Sequence, residues 1–205
     1  AEVGATKRNL GWPVEASFLV PQLVKDFFAD KSKTWAKEEA DWNKLFADYT
    51  AKNPDKAKAW TDFMAKKLPD NLESLLPKFN PEKPIGTRNA GGDILKVLFG
   101  AVPSLIGGSA DLAPSTKTWI KEFGSFEKDN YGGRNLHFGI REHGMGTIVA
   151  GLAYYGGFIP FGSTFFVFTD YMRPPIRLAS LSGLQTIYVF THDSIFVGED
   201  GPTHE

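Results

Sequence analysis

The 205-residue chain contains no cysteine. That excludes a disulfide framework, thiolate nucleophiles and zinc–thiolate sites, and it suits a reducing compartment. No apolar run reaches the roughly 20 residues of a membrane-spanning helix. The first residues, AEVGATKRNLGWP, lack the basic–apolar–small order of a secretory signal and begin abruptly, as the interior of a longer polypeptide would. Neither sign of charge dominates: 23 Lys and Arg face 24 Asp and Glu, a net charge of -1. The balance argues against nucleic acid or a membrane surface as partner. A G-x-S-x-G elbow, a P-loop and a strand-linked GxGxxG are all missing. What is present is a hydrophobic content of 42% and 17 Phe, enough for one large domain or two small ones with a core and flat pockets.

The two halves differ. Four of the five Trp lie in the first 80 residues, whereas all four His and most of the Gly lie from Gly91 onward. Residues 1 to about 20 have no clear period, and GWPVEASFLVP reads as extended between Pro13 and Pro21. VPQLVKDFF predicts a short helix after Pro21. Trp42, Leu45, Phe46 and Tyr49 then fall at i, i+3, i+4 and i+7 of an amphipathic helix, and Trp60, Phe63 and Met64 mark another after Asn53-Pro54. These aromatic stripes read as packing surface rather than a cofactor box. LPDNLESLLPKFNPEKPIG, with Pro69, Pro77, Pro81 and Pro84, reads as a linker.

Beyond the linker, strand and helix alternate. Thr87 is placed to cap a helix burying Ile94, Leu95, Leu98 and Phe99. Strands are expected at SLIGGS, NLHFG, FIPFGS and QTIYVF. Helices are expected over residues 140–156, with Ile140, Ile148, Leu152 and Tyr155 on one face, and over residues 166–183, restarted at Pro174-Pro175. The expected class is α/β: a parallel sheet with helices on both faces, preceded by helices.

Parallel sheets place ligands beyond the carboxyl ends of their strands. The four strands run into Asp111-Leu112, Arg141-Glu142-His143, Thr164-Phe165-Phe166 and Thr191-His192-Asp193. One edge thus receives acidic, aromatic and imidazole groups. Spacing alone leaves two roles open for Glu142: a helix-start acid paired with Arg141 or Arg173, or an acid–base carboxylate facing an aromatic pocket. Phe165, Phe168 and Tyr171 are likewise either core or a partial aromatic face. His192 and His204, with Asp193, Glu199 and Asp200, lack the spacing of a metal site.

GGSADLAPS, HFGIREHGMG, PFGSTFFVFTDYMRPPIRLASLSG and THDSIFVGEDGPTHE, in this order and spacing, resemble the transketolase family. The resemblance covers essentially the whole chain. It implies that residues 1–20 close a pyrophosphate-binding domain, 21–86 form a helical interdomain linker, and 87–205 begin a pyrimidine-binding domain. It implies thiamine diphosphate as cofactor, with Glu142 hydrogen-bonding the aminopyrimidine, Phe165, Phe168 and Tyr171 around the ring, and Asp111 and Leu112 flanking it. It implies sugar phosphates as substrates, with Arg88, Ser115 and His192 at the phosphate end, Asp200 reading a hydroxyl, and His204 at the reacting carbonyl. The reaction implied is reversible two-carbon ketol transfer, as used in the pentose phosphate pathway and the Calvin cycle.

The same resemblance implies a homodimer with the site shared between subunits, and a Mg or Ca ion held by first-domain residues outside this chain. The chain would then supply the pyrimidine side alone, be inactive by itself, break off inside an active-site loop at Glu205, and belong to a cytoplasmic or plastid protein. A dihydroxyacetone synthase-like transferase and a non-catalytic truncated dimerisation or regulatory module are the alternatives; Asp200 favours transketolase over the former.

Overall fold

A computed structural model describes residues 1–194 and 199–204. The chain divides into two compact units, Ala1–Ala57 and Lys58–Glu205. The first unit is helical. Residues 2–9, which carry no sequence period, nonetheless form α1 (Glu2–Asn9). The two helices expected between Pro21 and Asn53 are one, α2 (Gln22–Lys52). No proline or glycine interrupts that span, and the residue before Pro54 disfavours helical backbone, so the helix ends there. The aromatic stripe of α2 buries none of its residues: Trp42 is 54% exposed and Leu45 61%.

Helix α3 (Pro54–Met64) spans the division at Ala57/Lys58 and has proline in its first turn. The proline-rich stretch after it holds one short helix, α4 (Leu72–Leu75). Helix α5 (Thr87–Ala101) follows, with Gly86 rather than Thr87 at its N-cap, so Thr87 is its first helical residue instead of its cap.

Four parallel strands follow: β1 (Leu105–Ser109), β2 (Asn135–His137), β3 (Ile159–Phe165) and β4 (Ile187–Thr191), in the spatial order β2-β1-β3-β4. Gly107 lies opposite Phe161 and Gly108 opposite both Gly162 and Leu136. A Cβ on Gly107 would stand 2.2 Å from the Phe161 carbonyl oxygen, and one on Gly108 1.8 Å from that of Leu136. Strand β1 therefore has room for backbone only at its centre.

The sheet is covered on both faces. Phe161 points to one side, where it meets Phe99 edge-on at 5.9 Å within a cluster that includes Leu95, Val102, Leu105, Ile120 and Ile159. Its neighbour Gly162 faces the other side, where a Cβ would touch Met145 and Val149 of α7 (Glu142–Tyr155). Phe138, Met145, Val149 and Met172 fill that second core. The buried face of α7 is Glu142, Met145, Gly146, Val149 and Ala153. The stripe singled out in the sequence lies largely outside it: Ile140, Ile148 and Tyr155 are exposed. Prolines restart the chain as expected, since a 3-10 turn over Phe166–Tyr171 gives way to α8 (Arg173–Leu181), with Pro174 and Pro175 in its first turn.

At the opposite edge from the strand carboxyl ends, Arg134 closes the C-terminus of α5. Its guanidinium donates to the carbonyls of Phe99, Val102 (3.0 Å) and Pro103 (3.2 Å) and lies 4.3 Å from the Phe123 ring centre. The cation thereby meets the negative end of the helix. Burial holds its pKa below the ordinary guanidinium value.

Candidate active site

All four strands run the same way, so their carboxyl ends meet at one edge. Each feeds a short turn. After β1 the backbone enters the left-handed region at Asp111 (φ 64°), a conformation that Asp tolerates better than most residues. The Leu112 N–H then donates to Ser109 Oγ at 3.0 Å, fixing the turn that leads into the short helix α6 (Ala113–Thr116). After β2, Gly139 takes φ 68° and Arg141 donates from its N–H to the Gly139 carbonyl, delivering Glu142 to the first position of α7. After β3 comes the Phe166–Tyr171 turn, and after β4 His192 takes φ 61°.

Ala110, Asp111, Leu112, Ile140, Glu142, Phe168, Tyr171 and His204 line one cleft of about 500 Å³ at this edge. Glu142 is 8% exposed, and Thr164 Oγ1 donates to its Oε1 across 3.4 Å. The ion pairs open to it on spacing do not form. Arg173 instead pairs with Asp170 at 2.7 Å, and Arg141 donates to the Phe138 carbonyl. A mostly buried carboxylate thus stands at a helix N-terminus, against the positive end of the helix dipole, and faces an open cleft.

Phe165 is buried beneath the cleft and organises its aromatic side. Its ring stacks on Phe168 (6.1 Å, 7° between planes) and on His192 (3.8 Å, 27°), and His204 approaches both phenylalanines edge-on. The His192 tautomer follows from its partners. Arg88 Nη1 lies 3.0 Å from Nε2 and can only donate, so Nε2 accepts and the proton sits on Nδ1, which donates to Thr191 Oγ1 at 2.8 Å. His204 engages Thr203 through Nδ1 at 2.7 Å.

The residues singled out in the sequence therefore fall into groups. Asp111, Leu112, Glu142, Phe168, Tyr171 and His204 share the cleft wall, with Phe165 behind it and His192 stacked on Phe165. Arg88, in the first turn of α5, reaches the group through His192. Ser115 on α6 and the exposed Asp200 are not among the lining residues. Residues 195–198 of the THDSIFVGEDGPTHE run, and Glu205, where the chain was expected to break off inside a loop, lie outside the described residues. Ala110, Ile140 and Thr164 were not singled out as site residues. Thr164 could have been found from its place at the end of β3. Among the described residues no group of three or more His, Asp or Glu side chains converges on a metal position, and no helix is long and apolar enough to cross a membrane.

Fold and cleft define a parallel α/β domain with an open cleft at the strand carboxyl ends. A family profile described as the transketolase pyrimidine binding domain matches residues 83–205, and one described as the transketolase thiamine diphosphate binding domain matches residues 1–69. The chain belongs to the transketolase family. It is 50% identical to the chloroplastic transketolase of Zea mays over 206 aligned residues, covering 100% of this chain. The structure superposes on transketolase from Leishmania mexicana with a TM-score of 0.87 at 40% identity, covering 97% of this chain and 30% of that one. The Pichia stipitis transketolase solved with sedoheptulose 7-phosphate gives 0.87 at 36% identity, covering 99% of this chain and 31% of that one. This chain spans about 30% of the length of the Zea mays relative.

Proposed function

We propose that this chain supplies the pyrimidine side of a thiamine-diphosphate site in a transketolase, an enzyme that moves a two-carbon ketol unit reversibly from a ketose phosphate to an aldose phosphate. The carrying observation is Glu142, a buried carboxylate at a helix start on the wall of an aromatic cleft. The residues present suit an aminopyrimidine. A flat heteroaromatic ring needs apolar walls, which Leu112, Phe168 and Tyr171 offer, and a carboxylate that can share a proton with a ring nitrogen, which Glu142 offers. When bound, thiamine diphosphate supplies the electron sink for making and breaking the carbon–carbon bond.

The roles proposed for the chain's own groups are those that the family resemblance implies, and the chemistry of the side chains suits them. Glu142 holds a proton between its carboxyl and the ring nitrogen, with Oε1 occupied by Thr164 and Oε2 left to the ligand. Phe165, Phe168 and Tyr171 exclude water around the ring, and Asp111 and Leu112 flank it. Arg88, whose guanidinium keeps further donors after meeting His192, binds the substrate phosphate together with His192 and Ser115. Asp200 reads a substrate hydroxyl. His204, with Nδ1 turned to Thr203, presents Nε2 for proton exchange at the reacting carbonyl.

The complete protein is a homodimer that shares each site between subunits and holds a Mg or Ca ion through residues outside this chain. It acts in the cytoplasm or a plastid, in the pentose phosphate pathway or the Calvin cycle. Within the chain, residues 1–20 end the pyrophosphate-binding domain, 21–86 link the domains, and 87–205 belong to the pyrimidine-binding domain. The test is ketol transfer by the complete protein with ribose 5-phosphate or formaldehyde as acceptor. Thiamine-diphosphate-dependent transfer to ribose 5-phosphate is expected. No transfer overturns the proposal, and a preference for formaldehyde moves it to the dihydroxyacetone synthase-like class.

A further inference from the structure

We infer that Thr164 is a positioning residue for Glu142: its hydroxyl fixes which carboxyl oxygen faces the cleft. The inference rests on the pyrimidine-side reading of Glu142 and extends it to a residue that does not line the cleft.

The placement follows from strand and helix periods. Side chains two apart on a strand share a face, so Thr164 looks the same way as Gly162. Gly162 lies directly under α7, where a Cβ would stand 3.0 Å from Met145 Cγ and 3.3 Å from Val149 Cγ2. Two residues further along β3, the strand has advanced about 6.6 Å. The turn of α7 above that point is its first, because the helix runs back against the strand. That turn carries Glu142, three residues before Met145. The close seat of α7 on Gly162 therefore sets the register that brings Thr164 Oγ1 to Glu142 Oε1.

Two observations separate this contact from incidental packing. Thr164 is 0% exposed, and among the described residues Glu142 is the one hydrogen-bond partner of its hydroxyl. A hydroxyl so deep in the sheet costs free energy unless it is paired. Second, Glu142 lines the cleft and the Thr164 contact falls on Oε1 alone, so the hydroxyl distinguishes one carboxyl oxygen from the other. A threonine hydroxyl both donates and accepts, so it serves the carboxyl whether or not that group carries a proton. The 3.4 Å separation is long for an O–H···O bond, and such contacts shorten when a ligand orders the site.

The test compares Thr164→Val, which keeps the shape and removes the hydroxyl, with Thr164→Ser, which keeps the hydroxyl and removes the methyl. Both are made in the complete protein. Bound thiamine diphosphate is read by calorimetry at fixed divalent cation, and kcat and acceptor KM are measured in parallel. The Val variant is expected to lose about tenfold in cofactor affinity and in kcat, as for a hydrogen bond to a charged group, with acceptor KM unchanged. The Ser variant is expected to match wild type. If the Val variant does not fold, Thr164→Ala against Thr164→Ser asks the same question, since only Ser retains the hydroxyl. Equal behaviour of the hydroxyl-bearing and hydroxyl-free variants overturns the inference, whether both are intact or both impaired. Failure of the wild-type protein to bind thiamine diphosphate would instead overturn the reading of Glu142 on which it rests.

Discussion

Helix α2 and strand β1 are opposites. Helix α2 carries Phe28, Trp35, Trp42 and Tyr49 at seven-residue intervals, yet none of its residues is buried. Strand β1 reads LIGGS, with little hydrophobic bulk, and all five of its residues are buried. Burial therefore tracks the number of neighbouring elements rather than the apolar content of the segment. Strand β1 has a strand on each side and α5 and α6 packed on it, and its glycines are there because backbone must pass where Phe161 and Leu136 already stand.

The contrast can be broken by truncation. Phe99→Ala, in the core beside β1, is expected to destabilise the sheet unit by about 4 kcal/mol in urea unfolding. Trp42→Ala, a larger deletion on α2, is expected to change stability by about 0.5 kcal/mol or less in the same chain. Similar losses for the two would show that the α2 stripe is buried after all. Glycine substitutions sharpen the point. Gly108→Ala drives a Cβ into the Leu136 carbonyl and is expected to cost about 3 kcal/mol. Gly100→Ala, on an exposed turn of α5 with nothing within 4 Å of the new Cβ, is expected to raise stability by about 0.5–1 kcal/mol. Thermal melts of the two variants in parallel check both signs.

The smallest effect belongs to the surface pair Lys96–Glu122, 2.6 Å apart. The hydrogen bond from Lys96 holds the Glu122 carboxyl below its ordinary 4.5. A depressed carboxylate contributes stability above its unfolded pKa and loses it as pH falls through the folded value. Glu122→Gln should therefore flatten slightly the decline of stability below about pH 4.5, measured as Tm against pH beside wild type. Because both side chains are well exposed, screening by salt should abolish the difference.

Much of the site was legible in the sequence because parallel strands must end at one edge. Asp111, Glu142, Phe168 and His192 follow four different strands, and alternation of strand and helix was enough to bring them together. The face of α7 was not legible. EHGMGTIVAGLAYY is apolar almost all round, so periodicity offers no single stripe, and Met145 and Val149 are inward because Gly162 admits them. Nor was Thr164 singled out for the site. Its partnership with Glu142, 22 residues away in sequence, depends on the register of a helix on a strand, which no local pattern encodes. The union of α2 into one helix was readable from the lack of proline and glycine, but its two hydrophobic segments suggested two.

The most direct measurement of the central claim is thiamine-diphosphate-dependent ketol transfer by the complete protein with Glu142→Gln against wild type, the folds matched by circular dichroism. If Glu142 is the acid–base carboxylate of the cleft, kcat falls by about 10²–10⁴ while the protein stays folded. Transfer within a few-fold of wild type would contradict the account.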